Sequence, residues 1–478
     1  MSSRYDSILK RSRIAFPLLV LLLAIASPAV AENVKNYTRD TLDEWLAKPQ
    51  PPQAGLKPGE VLTSRDIARI RTYLPPGYVD QLDFPEFRAE IIATRTHRPR
   101  KDYLDCTEKH QAQVKLNPDG SLSNMVCGQP FSSASISATD PLSGIKAAWN
   151  FEYRWQNFGQ FALNFVYIFD RFGGGHAAQA SKVVESPPEA WSSGVPVSSK
   201  LPTDADNFYG GGGTFDKVIS SFYQRVYLRD LAPRAERGGM LNVPDAKDFF
   251  WKEFTGFLSP YDLRGQVFIT YRYADPHRAD DAWAYDPKLR RVSRISVEVK
   301  SDSLVGTDQT QEDFYSFSGR ALQWNWKFLG WKDLLCVMDS KYDYARLSGP
   351  NGDIPNDVWS VRRFAVVERT PQEAHHPYSS VVMFWDAENW HPWMTVAFTR
   401  DKRLWKIWNF QNRWTEDVAQ FAEINHGVEA TILQAETVID VQNDRATIFS
   451  GFGNGYPNAT EEHVRRLFDI NKLEGVHR

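Results

Sequence analysis

The chain has 478 residues, a formal net charge of −3, 42% hydrophobic and 24% charged residues. That balance is typical of a folded protein and excludes a largely disordered chain, and the lack of a basic excess argues against a nucleic-acid binder. The 16 Trp, 19 Tyr and 29 Phe are the outliers and favour strand-rich folds with wide apolar faces.

The first residues read as a targeting segment. Arg4, Lys10, Arg11 and Arg13 precede the apolar run Ile14 to Ala26, and Ala29-Val30-Ala31 has the small-residue pattern of a cleavage site. The run is shorter than the ~20 residues that span a bilayer. A signal peptide over 1–31, cleaved after Ala31, and export to the periplasm are expected. The first Cys is Cys106, so a lipid anchor at the cleavage site is not expected, and membrane contact would be peripheral. The remaining chain divides into an extended arm over 32–60, a curved-sheet domain over 61–420 and an extension over 421–478 ending in a helix.

Thr63-Ser64-Arg65-Asp66 opens a short helix that Pro75-Pro76 stops. Phe87 to Thr94 reads as a strand. Gln111 to Leu116 and Leu122 to Val126 flank the turn Asn117-Pro118-Asp119-Gly120 as a hairpin. Cys106 and Cys127 lie about equally far from that turn. In an oxidising compartment a disulfide is expected, worth ~3 kcal/mol from loop closure; two reduced, buried thiols are the alternative. Cys336 reads as a core residue. Asp140-Pro141 starts a helix whose Leu142, Ile145, Trp149 and Tyr153 recur at helical spacing.

Gly173–Gly175 and Gly210–Gly213, with the Pro- and Ser-rich 185–202 between them, read as loops. Neither glycine stretch has the Lys-Ser/Thr of a P-loop or dinucleotide-binding spacing. From Lys217 to Phe410 short strands alternate with turns: Phe222–Leu228, Val267–Tyr273, Trp283–Tyr285, Leu289–Val299, Trp324–Leu329, Val361–Glu368, Ser379–Trp385, Trp393–Thr399 and Leu404–Asn409. That order predicts an antiparallel meander, and so large an aromatic sheet must curl and close or be covered. Ala430 to Val438 fits helix or strand, and Glu461 to Leu467 fits a terminal helix.

Trp283, Tyr285, Trp324 and Trp326 are candidate wall residues of a cavity for a long apolar ligand, with ordinary core packing as the alternative. Arg290 and Arg294, sharing one strand face, could meet an anionic head group; a solvated face or pairing with Asp280 and Asp281 is the alternative. Adjacent His375 and His376 point to opposite strand faces and cannot readily share a metal, so no metal or cofactor is expected. No Gly-x-Ser-x-Gly elbow occurs.

Several pieces recur together: Gly120-Ser121-Leu122-Ser123-Asn124 with Gly128-Gln129-Pro130-Phe131, Asp140-Pro141 with Ala147-Ala148-Trp149-Asn150, and Trp283-Ala284-Tyr285-Asp286-Pro287 with Leu289-Arg290-Arg291-Val292. Then come Glu312-Asp313-Phe314 with Gly319, Trp324-Asn325-Trp326-Lys327, the run Arg362 to Glu368, and Trp385-Asp386. In this order the chain resembles the DUF1329 family of exported bacterial proteins over most of 60–415. That family is similar to the LolA/LolB type of periplasmic lipoprotein carrier. The resemblance implies a mainly β (α+β) fold, a half-open antiparallel barrel around an apolar cavity with a few covering helices. It also implies a non-catalytic carrier for a lipid, acyl chain or lipoprotein-like cargo, with an RND-type exporter or outer-membrane protein as partner. An exporter accessory module and an esterase-like hydrolase are the alternatives.

Overall fold

The structure is a computed structural model that describes residues 34–50, 55–155, 159–170, 191, 214–296, 301–342, 345–414, 430–455 and 461–475. The signal segment, both glycine stretches and all of 185–202 except Trp191 lie outside the described residues. The strands are β1 (Val61–Thr63), β2 (Arg88–Ile91), β3 (Lys115–Leu116), β4 (Leu122–Ser123), β5 (Gly159–Asp170), β6 (Thr214–Tyr227), β7 (Phe249–Ser259), β8 (Val267–Tyr273), β9 (Asp281–Asp286) and β10 (Arg291–Ile295). They continue with β11 (Trp324–Cys336), β12 (Leu347–Ser348), β13 (Ile354–Pro355), β14 (Val358–Pro371), β15 (Tyr378–Asp386), β16 (Pro392–Thr399), β17 (Leu404–Trp414), β18 (Thr431–Asp440) and β19 (Arg445–Gly455). The helices are α1 (Arg39–Ala47), α2 (Ile67–Ile70), α3 (Tyr78–Gln81), α4 (Lys101–His110), α5 (Ser143–Glu152) and α6 (Glu461–Leu467).

Fifteen strands form one sheet. Its long path runs β11, β14, β15, β16, β17, β18, β19, β5, β6, β7, β8, β9, β10, and every step is antiparallel. β1 and β2 join beside the start of β14, where β2 is parallel to Val358 and Trp359. The expected mainly-β architecture with covering helices is what the chain adopts.

The sheet curls, and a short peptide shows how far. Asp313 pairs with Arg369 on β14, while Ser318 O accepts from Arg272 on β8. β14 and β8 stand nine strands apart along the sheet, about 43 Å of strand spacing. Five residues reach at most about 18 Å. The two halves must therefore face each other across residues 304–323, which form a strap on the concave side. Among the described residues no ladder joins β10 to β11, so the barrel is half open.

Burial on both faces explains why the central strands read as unbroken apolar runs. On β15, Val382 and Phe384 meet the layer of α1, α2 and α3, whereas Val381, Met383 and Trp385 meet α5 and the strap. A third core packs β6 to β9 against 241–250 and the C-terminal residues Val464 to Leu473.

The arm over 32–60 carries α1, which buries Leu42 and Trp45. Lys332 Nζ donates to the carbonyls of Trp45, Leu46 and Lys48, which caps the helix C-terminus with a cation. Residues 431–455, grouped by sequence with a C-terminal extension, instead supply β18 and β19 at the middle of the sheet. The terminal helix α6 forms over the expected Glu461–Leu467.

Candidate functional site

The strap fills the concave side between β14 and β18. Gln309 donates to Glu436 Oε1 at 2.5 Å and accepts from the Trp408 indole at 2.7 Å. Tyr378 donates its hydroxyl to Asp313, and Trp385 donates its indole N–H to Ser316 Oγ at 3.0 Å. Burial pushes the Glu436 carboxyl up to about 8. Val305, Tyr315 and Ser316 take positive φ values of 45°, 54° and 76° where the strap bends. Such a polar, hydrogen-bonded filling leaves this part of the interior to the chain itself.

Trp324 and Trp326 sit against that strap. The Trp324 indole donates to Glu312 Oε1 at 3.1 Å, the Trp326 indole donates to Ala321 O at 2.7 Å, and both rings meet Phe317. Trp283 and Tyr285 lie in the separate core under the C-terminal residues, with Trp283 4.9 Å from the Tyr271 ring. The structure thus brings the four aromatic candidates together as two pairs. Arg290 joins neither pair: β10 begins at Arg291, and Arg290 sits in the preceding turn at φ 49°, so it does not share a strand face with Arg294. Arg294 is exposed and pairs with Asp281, the internal partner the sequence had offered.

Cys106 and Cys127 are disulfide-bonded with Cα atoms 5.9 Å apart. Cys106 lies on α4 rather than on a hairpin arm, and the hairpin ladder is only two residues per strand. Cys336 is buried, which pushes its thiol far up and leaves it unreactive.

A cavity lies elsewhere, at the seam where α5 meets the ends of β7 and β8 and the strap. It encloses about 160 Å³. α5 supplies Trp149 and Glu152, and Tyr153 follows it; β7 supplies Phe250, β8 ends in Tyr273, and Arg320 comes from the strap. α5 is held close to β11 at Gly144, where a Cβ would stand 2.5 Å from the Trp326–Lys327 backbone. Asp140 terminates the approach to α5, its Oδ1 accepting from Leu142 N at 3.0 Å.

One side of the pocket is aromatic: Tyr153 lies 5.3 Å from Phe250 and 6.1 Å from Trp149. The other side is charged. Tyr153 donates its hydroxyl to Asp230 at 3.3 Å, and Arg229 Nε stands 3.3 Å from the same carboxylate. Burial pushes Asp230 up to about 6, against the pull of Arg229. Burial also raises Glu152, opposed by Arg272 and Arg320. Arg272 and Arg320 share Asp280 at 3.0 Å each, and Arg320 donates to Tyr273 O at 3.0 Å. These bonds stitch the strap to β8 immediately below the pocket.

A space of this size matches the ~150 Å³ that holds a benzene ring, and is smaller than the ~300 Å³ at which ligand pockets usually begin. It accepts a ring or one end of a longer molecule. Among the described residues no Ser, Cys or His lines it, so it lacks the nucleophile–base pair that acyl transfer uses. Sequence reasoning had found Trp149 and Tyr153 as a helix face but not as a pocket wall. Asp230, Glu152 and Arg320 carry no local motif, because three separated segments bring them together.

A sequence profile of the family described as "Protein of unknown function (DUF1329)" matches residues 61–210 and 211–473. No curated protein matches the chain. Among solved structures, a putative outer membrane lipoprotein-sorting protein domain from Vibrio parahaemolyticus is 17% identical, covering 70% of this chain and 100% of that one with a TM-score of 0.42. A DUF1329 family protein from Desulfovibrio piger is 14% identical, with 70% and 100% coverage and a TM-score of 0.41. A LolA superfamily protein from Nitrosomonas europaea is 11% identical, with 63% and 86% coverage and a TM-score of 0.31. With the family profile spanning nearly the whole described sheet, the chain belongs to the DUF1329 family.

Proposed function

We infer that the protein is a non-catalytic carrier for a hydrophobic or amphipathic molecule, a lipid or an acyl chain, and that it works in the periplasm. The single observation that supports this most is the aromatic pocket between α5 and the end of β7, whose walls meet through side chains. Side-chain contacts at such a seam can open and close without breaking a hydrogen-bonded sheet, which suits uptake and release. Burying a ring-sized apolar group there removes about 200 Å² from water, a gross gain of roughly 5 kcal/mol before association costs. In this reading Arg229 and Arg320, which line the pocket, take the head-group role in place of the exposed Arg290 and Arg294. Lining without Ser, Cys or His favours reversible binding over hydrolysis.

The test is native mass spectrometry and organic extraction of protein purified from its own exported fraction. A stoichiometric amphiphile, lost from a Phe250→Ala variant that remains folded, is the expected result. Protein that is always empty and takes up no fluorescent fatty acid or phospholipid would overturn the reading.

A further inference from the structure

Among the described residues, the two most exposed large hydrophobic side chains are Tyr261, at 87%, and Leu289, at 72%. Scattered exposed apolar residues need no explanation, but these two lie in turns at one end of the sheet. Tyr261 lies in the turn between β7 and β8, and Leu289 lies in the turn between β9 and β10. The β8–β9 ladder pairs Val267, just after the first turn, with Tyr285, just before the second. Both turns therefore project from the same end of adjacent hairpins.

Each turn is built rather than loose. Leu263 and Arg264 N–H both donate to Pro260 O at 3.0 Å, and Gly265 N–H donates to Phe257 O at 2.9 Å. In the second turn Asp286 Oδ1 accepts from Lys288 N at 2.8 Å and Leu289 N at 3.3 Å. Arg290 closes that turn with φ 49°.

Around the apolar pair stand Arg264, Lys288, Arg290 and Arg291, all exposed, against the acids Asp262 and Asp286. Lys288, Arg290 and Arg291 form no ion pair among the described residues, and Asp286 is engaged in capping its own turn. One projecting tip carries Leu289 among Lys288, Arg290 and Arg291, and the other carries Tyr261 beside Asp262 and Arg264. They match a soft anionic layer, where Tyr sits at head-group depth, Leu enters the acyl boundary and Arg and Lys stems snorkel to phosphates.

We propose that the β7–β8 and β9–β10 turns are a docking tip for an anionic lipid bilayer, with Tyr261 and Leu289 as the inserting residues and Arg264, Lys288, Arg290 and Arg291 as the phosphate contacts. This goes beyond the carrier reading and does not depend on it, because docking is read on the protein whether or not a ligand is bound.

The experiment is flotation of the full-length mature chain with vesicles of phosphatidylcholine alone or with one-third phosphatidylglycerol, at low and high salt. Binding to the phosphatidylglycerol vesicles at low salt and release at high salt are expected. An Arg290→Ala/Arg291→Ala variant should bind about 25-fold more weakly, about fivefold per cation removed. A Tyr261→Ser/Leu289→Ser variant should lose roughly tenfold. Both variants change exposed side chains, so their melting temperatures should match the parent. A Leu289→Cys variant labelled with an environment-sensitive dye should shift to the blue on the same vesicles, since Cys336 is buried and will not label. No binding to the phosphatidylglycerol vesicles, or binding that survives both double substitutions, overturns the proposal. An empty protein that still floats counts against the carrier alone; a loaded protein that never floats counts against the docking tip alone.

Discussion

Asp230 carries the clearest residue-scale consequence of the seam pocket. Its carboxyl titrates near 6 in the folded protein, above the 3.8 of an unperturbed Asp, chiefly because it is buried. A raised folded value means that the folded state holds the proton more tightly than the unfolded state. The associated stability is complete below about pH 4 and is lost as pH rises through about 6. Asp230→Asn removes the ionisation and keeps the shape. It should stabilise the protein by on the order of 2 kcal/mol at pH 8 and leave it nearly unchanged at pH 4, as measured by urea unfolding at the two pH values. Equal effects at both pH values would show that Asp230 titrates alike in the folded and unfolded states. None of this was legible from sequence, since the residue stands in an ordinary Arg-Asp dipeptide, and its burial comes from partners such as Tyr153, 77 positions away.

At the scale of elements, α5 forms one wall of the seam and packs on β11, and Gly144 sets how closely the two approach. A methyl group at that position would meet backbone, which cannot swing aside as a side-chain tip could. Gly144→Ala should therefore cost about 1–3 kcal/mol despite the better helix propensity of Ala. Thermal unfolding checks this, and a neutral or stabilising result would contradict the close packing. Much of this level could be read in advance. β15, β16 and β17 appear in the sequence as short apolar runs split by polar turns, and Asp140-Pro141 announces α5. β18 stayed ambiguous because burial on both faces erases the alternation that marks a strand. β7 escaped notice because Lys252 and Glu253 interrupt its apolar pattern. Their charges are satisfied by Asp245 and Arg225, the latter on another strand.

For the whole molecule, the strap is the part that turns a long sheet into a half-open barrel. It ties β8 through Arg272 to β14 through Arg369, and the Arg369–Asp313 pair is almost wholly buried. Arg369→Ala would leave Asp313 uncompensated in the core and should cost about 3–5 kcal/mol. Chemical denaturation reads this directly, and a loss under 1 kcal/mol would mean that the strap does not hold the curl. The sequence predicted the curl from the need to cover an aromatic sheet. It did not predict that the chain itself fills the hollow beside Trp324 and Trp326, because the strap's polar residues find their partners only after the sheet has bent. A space open to a guest among the described residues is the seam. The most direct test is photo-crosslinking with a fatty acid that carries a diazirine, followed by peptide mapping. The account predicts labelling of the α5 segment around Trp149 and Tyr153 and of the β7 and β8 ends at Phe250 and Tyr273. Labelling confined to other surfaces, or none at all, would contradict it.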